Sequence, residues 1–267
     1  MNLSDIDFAE LYRGQMSRAN RQEKTPEYWD GRATAMSQRM SDSQYVRQFV
    51  AALDLSGCAT LLDVGCGPGT IALTVAPRLE HVYGLDYSPG MLSAFTEEAR
   101  VRGLTAATPI LRAWEDDWAD VPVCDIVVAS RSTAVPDLEA AILKLDSKAR
   151  RRVYLSYPAD GRLPGDEVRH AIGRADASSA PDYLCVAGIL HHLGLHPTLG
   201  YLTTENRFAK CADLADYVSK ASELLGPMSA VEVGRLETFF RETGDRARQE
   251  PTRWALFSWE ARKKVAE

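Results

Sequence analysis

The chain has 267 residues, 45% hydrophobic and 25% charged, a balance that suits a soluble globular protein whose core needs no metal or disulfide staple. Its net charge of −6 and pI near 5.5 weigh against a nucleic-acid partner, which needs a surplus of Lys and Arg on one face. Its five cysteines, at 58, 66, 124, 185 and 211, show no C-x-x-C spacing, which excludes the common zinc and redox patterns and fits reduced thiols.

The N-terminal stretch lacks a basic run followed by an apolar one, and no 18-residue apolar segment exists, so a cytoplasmic location with no membrane partner is expected. Residues 4–20 read as a helix, with Ile6, Phe8, Leu11 and Tyr12 at near-helical spacing. Thr25 caps a second helix that opens at Pro26, and Ser41 caps a third over 41–54 with Tyr45, Phe49 and Leu53 on one face. Residues 1–57 thus form a helical N-terminal cap. From residue 58 the rhythm becomes strand and helix in alternation: strands at 60–64, 81–86, 108–111, 124–129 and 152–157, helices at 69–79, 88–102 and 136–148. The strands are short, continuous apolar runs, as expected when both faces are buried in a parallel sheet. The basic run Lys148-Ala149-Arg150-Arg151-Arg152 reads as a solvated helix end before a strand. Residues 158–196, with Gly161, Pro164, Gly165 and Pro181 around helices at 166–174 and 182–193, read as a lid insertion. The last part, 197–267, holds strands at 199–203 and 253–259 with helices 211–225 and 229–243 between them. The prediction is one α/β domain around a doubly wound sheet, with 58–157 as its ligand-binding core.

The informative motif is Asp63-Val64-Gly65-Cys66-Gly67-Pro68-Gly69-Thr70, set between a predicted strand and a predicted helix. Gly65 can turn with positive φ, and Gly67 lets a ligand approach the backbone. The next strand ends in Asp86, about twenty residues beyond Gly65, where a carboxylate accepts from both ribose hydroxyls of an adenosine ligand. An NAD fingerprint wants Gly or Ala where Thr70 stands, gives Asp63 no role, and usually lies nearer a domain's start. A P-loop is excluded, because no Gly-Lys-Ser/Thr follows.

The stretch from Leu62 to Thr70 resembles motif I of the class I S-adenosylmethionine (SAM)-dependent methyltransferases. Gly84-Leu85-Asp86-Tyr87-Ser88-Pro89-Gly90-Met91-Leu92 resembles the segment that follows in their type-11 group, which includes quinone-biosynthesis methyltransferases, and 124–130 resembles the fourth-strand motif. The resemblance covers about residues 58–157. It implies a Rossmann-like seven-stranded sheet and SAM as cofactor. By that resemblance Gly65, Cys66 and Gly67 pack against SAM, Asp63 helps hold its amino group, and Asp86 binds its ribose, with Tyr87 and Met91 beside the adenine. The usual acidic contact after the third strand is out of register, leaving Trp114 or Glu115 to replace it. Trp29 and Arg32 read either as a closure over the methionine tail or as a core and a solvated residue.

Methyl transfer demands placement more than a fixed catalytic group, so candidates are taken from the strand ends: Ser130 and Arg131 after the fourth strand, Tyr157 at the end of the fifth, and His170 in the lid. Arg131 reads as a clamp for an anionic substrate or as a surface residue capping a carbonyl. No Asn/Asp-Pro-Pro-Tyr/Phe signature follows the fourth strand, which further lowers a nucleic-acid substrate. His191, His192 and His196 lack the Glu of H-E-x-x-H, so no metal is expected. The expected function is methyl transfer to a small molecule. Transfer of another SAM-derived group, or SAM binding without catalysis, stay open, and the sequence is silent on oligomeric state.

Overall fold

The computed structural model describes residues 5–18, 24–38, 43–159, 166–174, 181–206, 208–244 and 251–262. Four helices come first: α1 (Phe8–Arg18), α2 (Pro26–Asp30), α3 (Ala33–Gln38) and α4 (Gln44–Ala52). The cap of α4 is Ser43, whose side chain accepts from the Val46 N–H; Ser41 lies outside the described residues. The alternating part follows as β1 (Thr60–Val64), α5 (Ala72–Val75), β2 (His81–Asp86), α6 (Pro89–Val101), β3 (Ala107–Leu111), β4 (Cys124–Ser130), α7 (Leu138–Lys148) and β5 (Ala149–Pro158). Last come α8 (Asp166–Ile172), α9 (Tyr183–His192), β6 (Thr198–Thr204), α10 (Leu214–Leu225), α11 (Ala230–Thr243) and β7 (Thr252–Glu260).

The seven strands form one sheet in the order β3-β2-β1-β4-β5-β7-β6. Strands β1 to β5 pair in parallel, and β7 runs antiparallel between β5 and β6. Alternate side chains of the strands feed two cores. On one face α1, α7 and α9 cover Leu62, Val64, Val127, Leu155 and Phe257. On the other, α4, α5 and α6 cover Leu61, Val82, Ile126, Val128 and Leu256. Burial on both faces is the physical reason β1 and β4 read as unbroken apolar runs. No helix among the described residues is long and apolar enough to cross a membrane.

Two expectations differ from the structure. Residues 69–79 do not form one helix: α5 spans only Ala72–Val75 and tightens into a 3-10 turn over Ala76–Arg78, where Pro77 removes a donor and would clash in a continued helix. The basic run keeps its expected place: Lys148 closes α7, and the exposed Arg150 and Arg151 open β5. There Arg150 lies 3.8 Å from Asp125, Arg151 donates to the Gly57 carbonyl, and Arg152 pairs with Asp54. The expected lid, 158–196, divides in two. Helix α9 buries Cys185, Val186, Ile189 and Leu190 in the sheet core, so it is the crossover helix between β5 and β6. Helix α8 joins α10 and α11 in a separate small core of Val168, Ile172, Tyr217, Ala221 and Leu236.

Candidate functional site

The site begins where β1 ends. Gly65, Gly67 and Gly69 all have positive φ, at 67°, 55° and 87°. That conformation is cheap only for glycine. The N–H groups of Gly65 and Cys66 both donate to the Leu85 carbonyl, at 2.7 and 3.0 Å, which folds the loop back over β2. At Gly69 a β-carbon would strike Leu73 and Phe95; at Gly65 it would strike Ser132. Gly67 differs: a β-carbon there would meet only the thioether ends of Met36 and Met91, each 3.8 Å away. The loop therefore offers one open backbone face, bordered by two adaptable apolar side chains. Cys66 turns inward beside Gly84, and burial pushes its thiol well above the ordinary range, so it is no nucleophile.

Two buried carboxylates flank this loop. Asp63, 1% exposed, accepts from the Ala72 N–H through Oδ2, while its Oδ1 has no hydrogen-bond partner. Desolvation raises its pKa to about 7. Asp86, 6% exposed, accepts from the N–H of Gly67 at 2.9 Å and of Ser88 at 3.0 Å. Burial raises its pKa too, and those N–H groups pull it back.

The N-terminal helices close over the far side. Asp30, at the end of α2, accepts from the Ser88 hydroxyl at 2.5 Å and the Gly90 N–H at 2.8 Å, which pins α2 to the start of α6. Tyr87 donates its hydroxyl to the Lys24 carbonyl. Trp29 is half-buried, edge-on to Tyr28 with the Lys24 ammonium over its ring. Arg32 is exposed and stacks on Tyr28, 3.8 Å above the ring.

On the other side, the loop after β4 rests on the glycine loop. Ser132 donates to the Val64 carbonyl at 2.6 Å, and the indole N–H of Trp114 donates to the Ser132 carbonyl at 3.2 Å. Just before Ser132, Arg131 takes φ 59°, the one non-glycine positive φ among the described residues. Its N–H donates to Ser156 Oγ at 3.0 Å. The Tyr45 hydroxyl sits between Ser156 at 2.6 Å and Ser130 at 2.9 Å. The Arg131 guanidinium lies 4.1 Å above the Tyr45 ring and 6.0 Å from Trp254. Burial raises the Tyr45 phenol pKa, with Arg131 opposing the shift.

The structure thus gathers Asp63, Gly65, Gly67, Asp86, Met91, Trp114, Ser130 and Arg131 around one end of the sheet. It does not gather Tyr157, His170 and Glu115 in the same way. Tyr157 is buried in the core beside α9, since it faces opposite to its neighbour Ser156. His170 is exposed on α8, which packs against α11. Glu115 is exposed, with no hydrogen bond or ion pair among the described residues, which leaves Trp114 as the residue after β3 that reaches the loop. No cluster of three metal-ligating side chains occurs among the described residues. Sequence reasoning missed Asp30, Met36, Ser132, Ser156 and Trp254. It took Tyr45 for a core residue, because periodicity reports burial and not the hydroxyl at the tip.

Comparison with known proteins bears on the family and the fold. Residues 61–147 match the methyltransferase domain family. An uncharacterised protein of Haemophilus influenzae is 34% identical over 266 residues, covering 97% of this chain and 98% of its own. A 23S rRNA uracil-C5 methyltransferase of Klebsiella pneumoniae is 30% identical over 43% of this chain and only 27% of its own length. A nocamycin O-methyltransferase of Saccharothrix syringae is 30% identical over 60% of this chain and 58% of its own. A SAM-dependent methyltransferase of Thiobacillus denitrificans, crystallised with S-adenosylhomocysteine, superposes with a TM-score of 0.55 at 17% identity, covering 86% of this chain and 97% of that one.

Proposed function

We propose that this chain, a member of the methyltransferase domain family over residues 61–147, transfers the methyl group of SAM to a small-molecule acceptor. The observation that carries the reading is the pair of buried acids at the glycine loop. Two carboxylates held out of water are costly unless a cation or strong donors meet them. SAM offers both, an ammonium and a ribose diol. The unpartnered Oδ1 of Asp63 is free to accept from the ammonium. Asp86 accepts one N–H at each oxygen and keeps acceptor capacity for the ribose. The open face of Gly67 admits the ligand's body, with Met91 and Met36 as apolar neighbours, and Trp114 reaches the neighbouring loop at Ser132. Tyr87, Trp29 and Arg32 would act from the N-terminal side, through the segment that Asp30 anchors.

When bound, SAM supplies a methyl activated by its sulfonium. The chain's own task is to hold the acceptor beside it and to keep water out. The loop carrying Ser130 and Arg131 borders the glycine loop, so it is the natural wall of the acceptor site. A base is needed only if the acceptor's nucleophile arrives protonated. A small acceptor is favoured over RNA by the net charge of −6 and by the arginines of the basic run, which are engaged in pairing and carbonyl contacts.

The test is calorimetric titration of SAM, S-adenosylhomocysteine and NAD, with Asp86→Ala as control. Micromolar binding of the first two, lost in the variant, supports the reading; preference for NAD overturns it. The mass of a turnover product then separates methyl from any other SAM-derived group.

A further inference from the structure

We propose that the acceptor carries a carboxylate, and that Arg131 binds it against the Tyr45 ring. The inference deepens the reading of this chain as a small-molecule methyltransferase and rests on it for the acceptor's location.

Four observations support it. The first is conformational. A non-glycine residue at φ 59° costs about 1–2 kcal/mol against glycine at the same place, yet a long cationic side chain occupies the position. The second is the way the residue is held. Its N–H is fixed by Ser156, Ser156 by Tyr45, and Tyr45 by Ser130, so the base under the guanidinium is a buried and fully bonded ring. The third is the face used. The guanidinium carbon lies 4.1 Å over the Tyr45 ring, with Trp254 farther off at 6.0 Å, and contact through a ring face leaves the in-plane N–H donors of a guanidinium free. Among the described residues no carboxylate or carbonyl takes those donors. Other arginines of this chain are engaged: Arg102 with Glu98, Arg112 with Asp120, Arg174 with Glu232. The fourth is position. The next residue, Ser132, touches Gly65, so the fork stands one residue from the loop assigned to the cofactor.

An in-plane fork with free donors matches a carboxylate in two parallel hydrogen bonds. One guanidinium balances one negative charge, which favours a carboxylate over a phosphate monoester. Tyr45 and Trp254 add an apolar wall that suits the carbon skeleton of an organic acid.

The experiment saturates the protein with S-adenosylhomocysteine and titrates it with a panel of organic carboxylates, their carboxamides, and phosphate monoesters. Wild type is compared with Arg131→Gln, Arg131→Lys and Arg131→Gly, the last of which relieves the positive φ. Carboxylates should bind in preference to the matching amides. The Gln and Gly variants should both lose about tenfold or more of that affinity, and Lys should restore only part of it. Affinity for S-adenosylhomocysteine should stay within about twofold in every variant. Carboxylates binding no better than amides, a preference for phosphate monoesters, or unchanged affinity in the Gln variant would each overturn the proposal. Loss of S-adenosylhomocysteine binding in Arg131→Gln would overturn it as well, by assigning the fork to the cofactor's own carboxylate. Failure of wild type to bind S-adenosylhomocysteine would sink the methyltransferase reading instead, and the panel on the free protein would still decide whether Arg131 takes carboxylates.

Discussion

A β-carbon placed on Gly65 would lie 2.3 Å from the β-carbon of Ser132. The contact joins the loop after β1 to the loop after β4, the two segments proposed to border the cofactor and the acceptor. Gly65→Ala is therefore expected to destabilise the fold by about 2–5 kcal/mol, the sum of a left-handed backbone penalty and overpacking. Ser132→Gly in the same chain should return the packing part and leave the backbone part. Urea denaturation of the four variants in a double-mutant cycle measures the coupling; purely additive effects would refute the contact.

Asp63 sets a pH dependence with a defined sign. Its folded pKa, about 7, lies above the 3.8 of a free aspartate. Its contribution to stability is thus fully present below the lower value and is lost as pH rises through the upper one. Asp63→Asn should raise the melting temperature of the ligand-free protein at pH 8 relative to wild type, with a smaller gain at pH 5. The same variant should lose SAM affinity, because the acceptor for the ammonium is gone. Equal melting shifts at both pH values would contradict the buried charge.

Ligand binding carries a linked proton. An ammonium beside Asp63 favours its ionised form, so SAM binding near pH 7 should release a proton that the free protein holds. Titrations in buffers of different ionisation enthalpy read this directly. No net release, or uptake instead, would remove Asp63 from the ammonium site.

The Tyr45 hydroxyl is hydrogen-bonded to Ser156, which accepts from the Arg131 N–H, so under the proposed acceptor site it acts through Arg131. Tyr45→Phe keeps the ring but frees the two serine hydroxyls, at a cost of about 1 kcal/mol in stability. Acceptor KM should rise while the affinity for S-adenosylhomocysteine holds. A change confined to kcat would instead place the phenol in proton transfer.

Asp30 couples the N-terminal helices to the start of α6. Asp30→Ala should speed hydrogen exchange over residues 24–38 and leave exchange in β1 and β4 unchanged. Gly90→Ala should act in the same direction, since its β-carbon would sit 2.7 Å from Asp30 Oδ1. Unaltered exchange in α2 would show that other contacts hold it.

Much of the core was legible from short-range pattern. Thr60–Val64, His81–Asp86 and Cys124–Ser130 are unbroken runs because both faces of the sheet are covered, and the three glycines announce a loop of left-handed turns. Asp63 and Asp86 could be named because each stands at a strand's end, where the connection to the next helix begins. The misread helix at 69–79 has a local cause, Pro77, whereas the misread lid has a tertiary one. Hydrophobic period predicts a helix at 182–193 but not whether it caps the sheet or lies over a site, and only its neighbours α1 and α7 decide that.

Sequence by itself determined the element types, the glycine loop and its two acids, for these depend on residues close together in the chain. Tertiary structure alone decided the cluster around Arg131. Tyr45, Ser130, Ser156 and Trp254 are far apart in sequence and meet because β4, β5 and β7 lie side by side with α4 across their ends. The left-handed turn at Arg131 has no signature in residue type, since arginine does not favour it; the surrounding hydrogen bonds impose it.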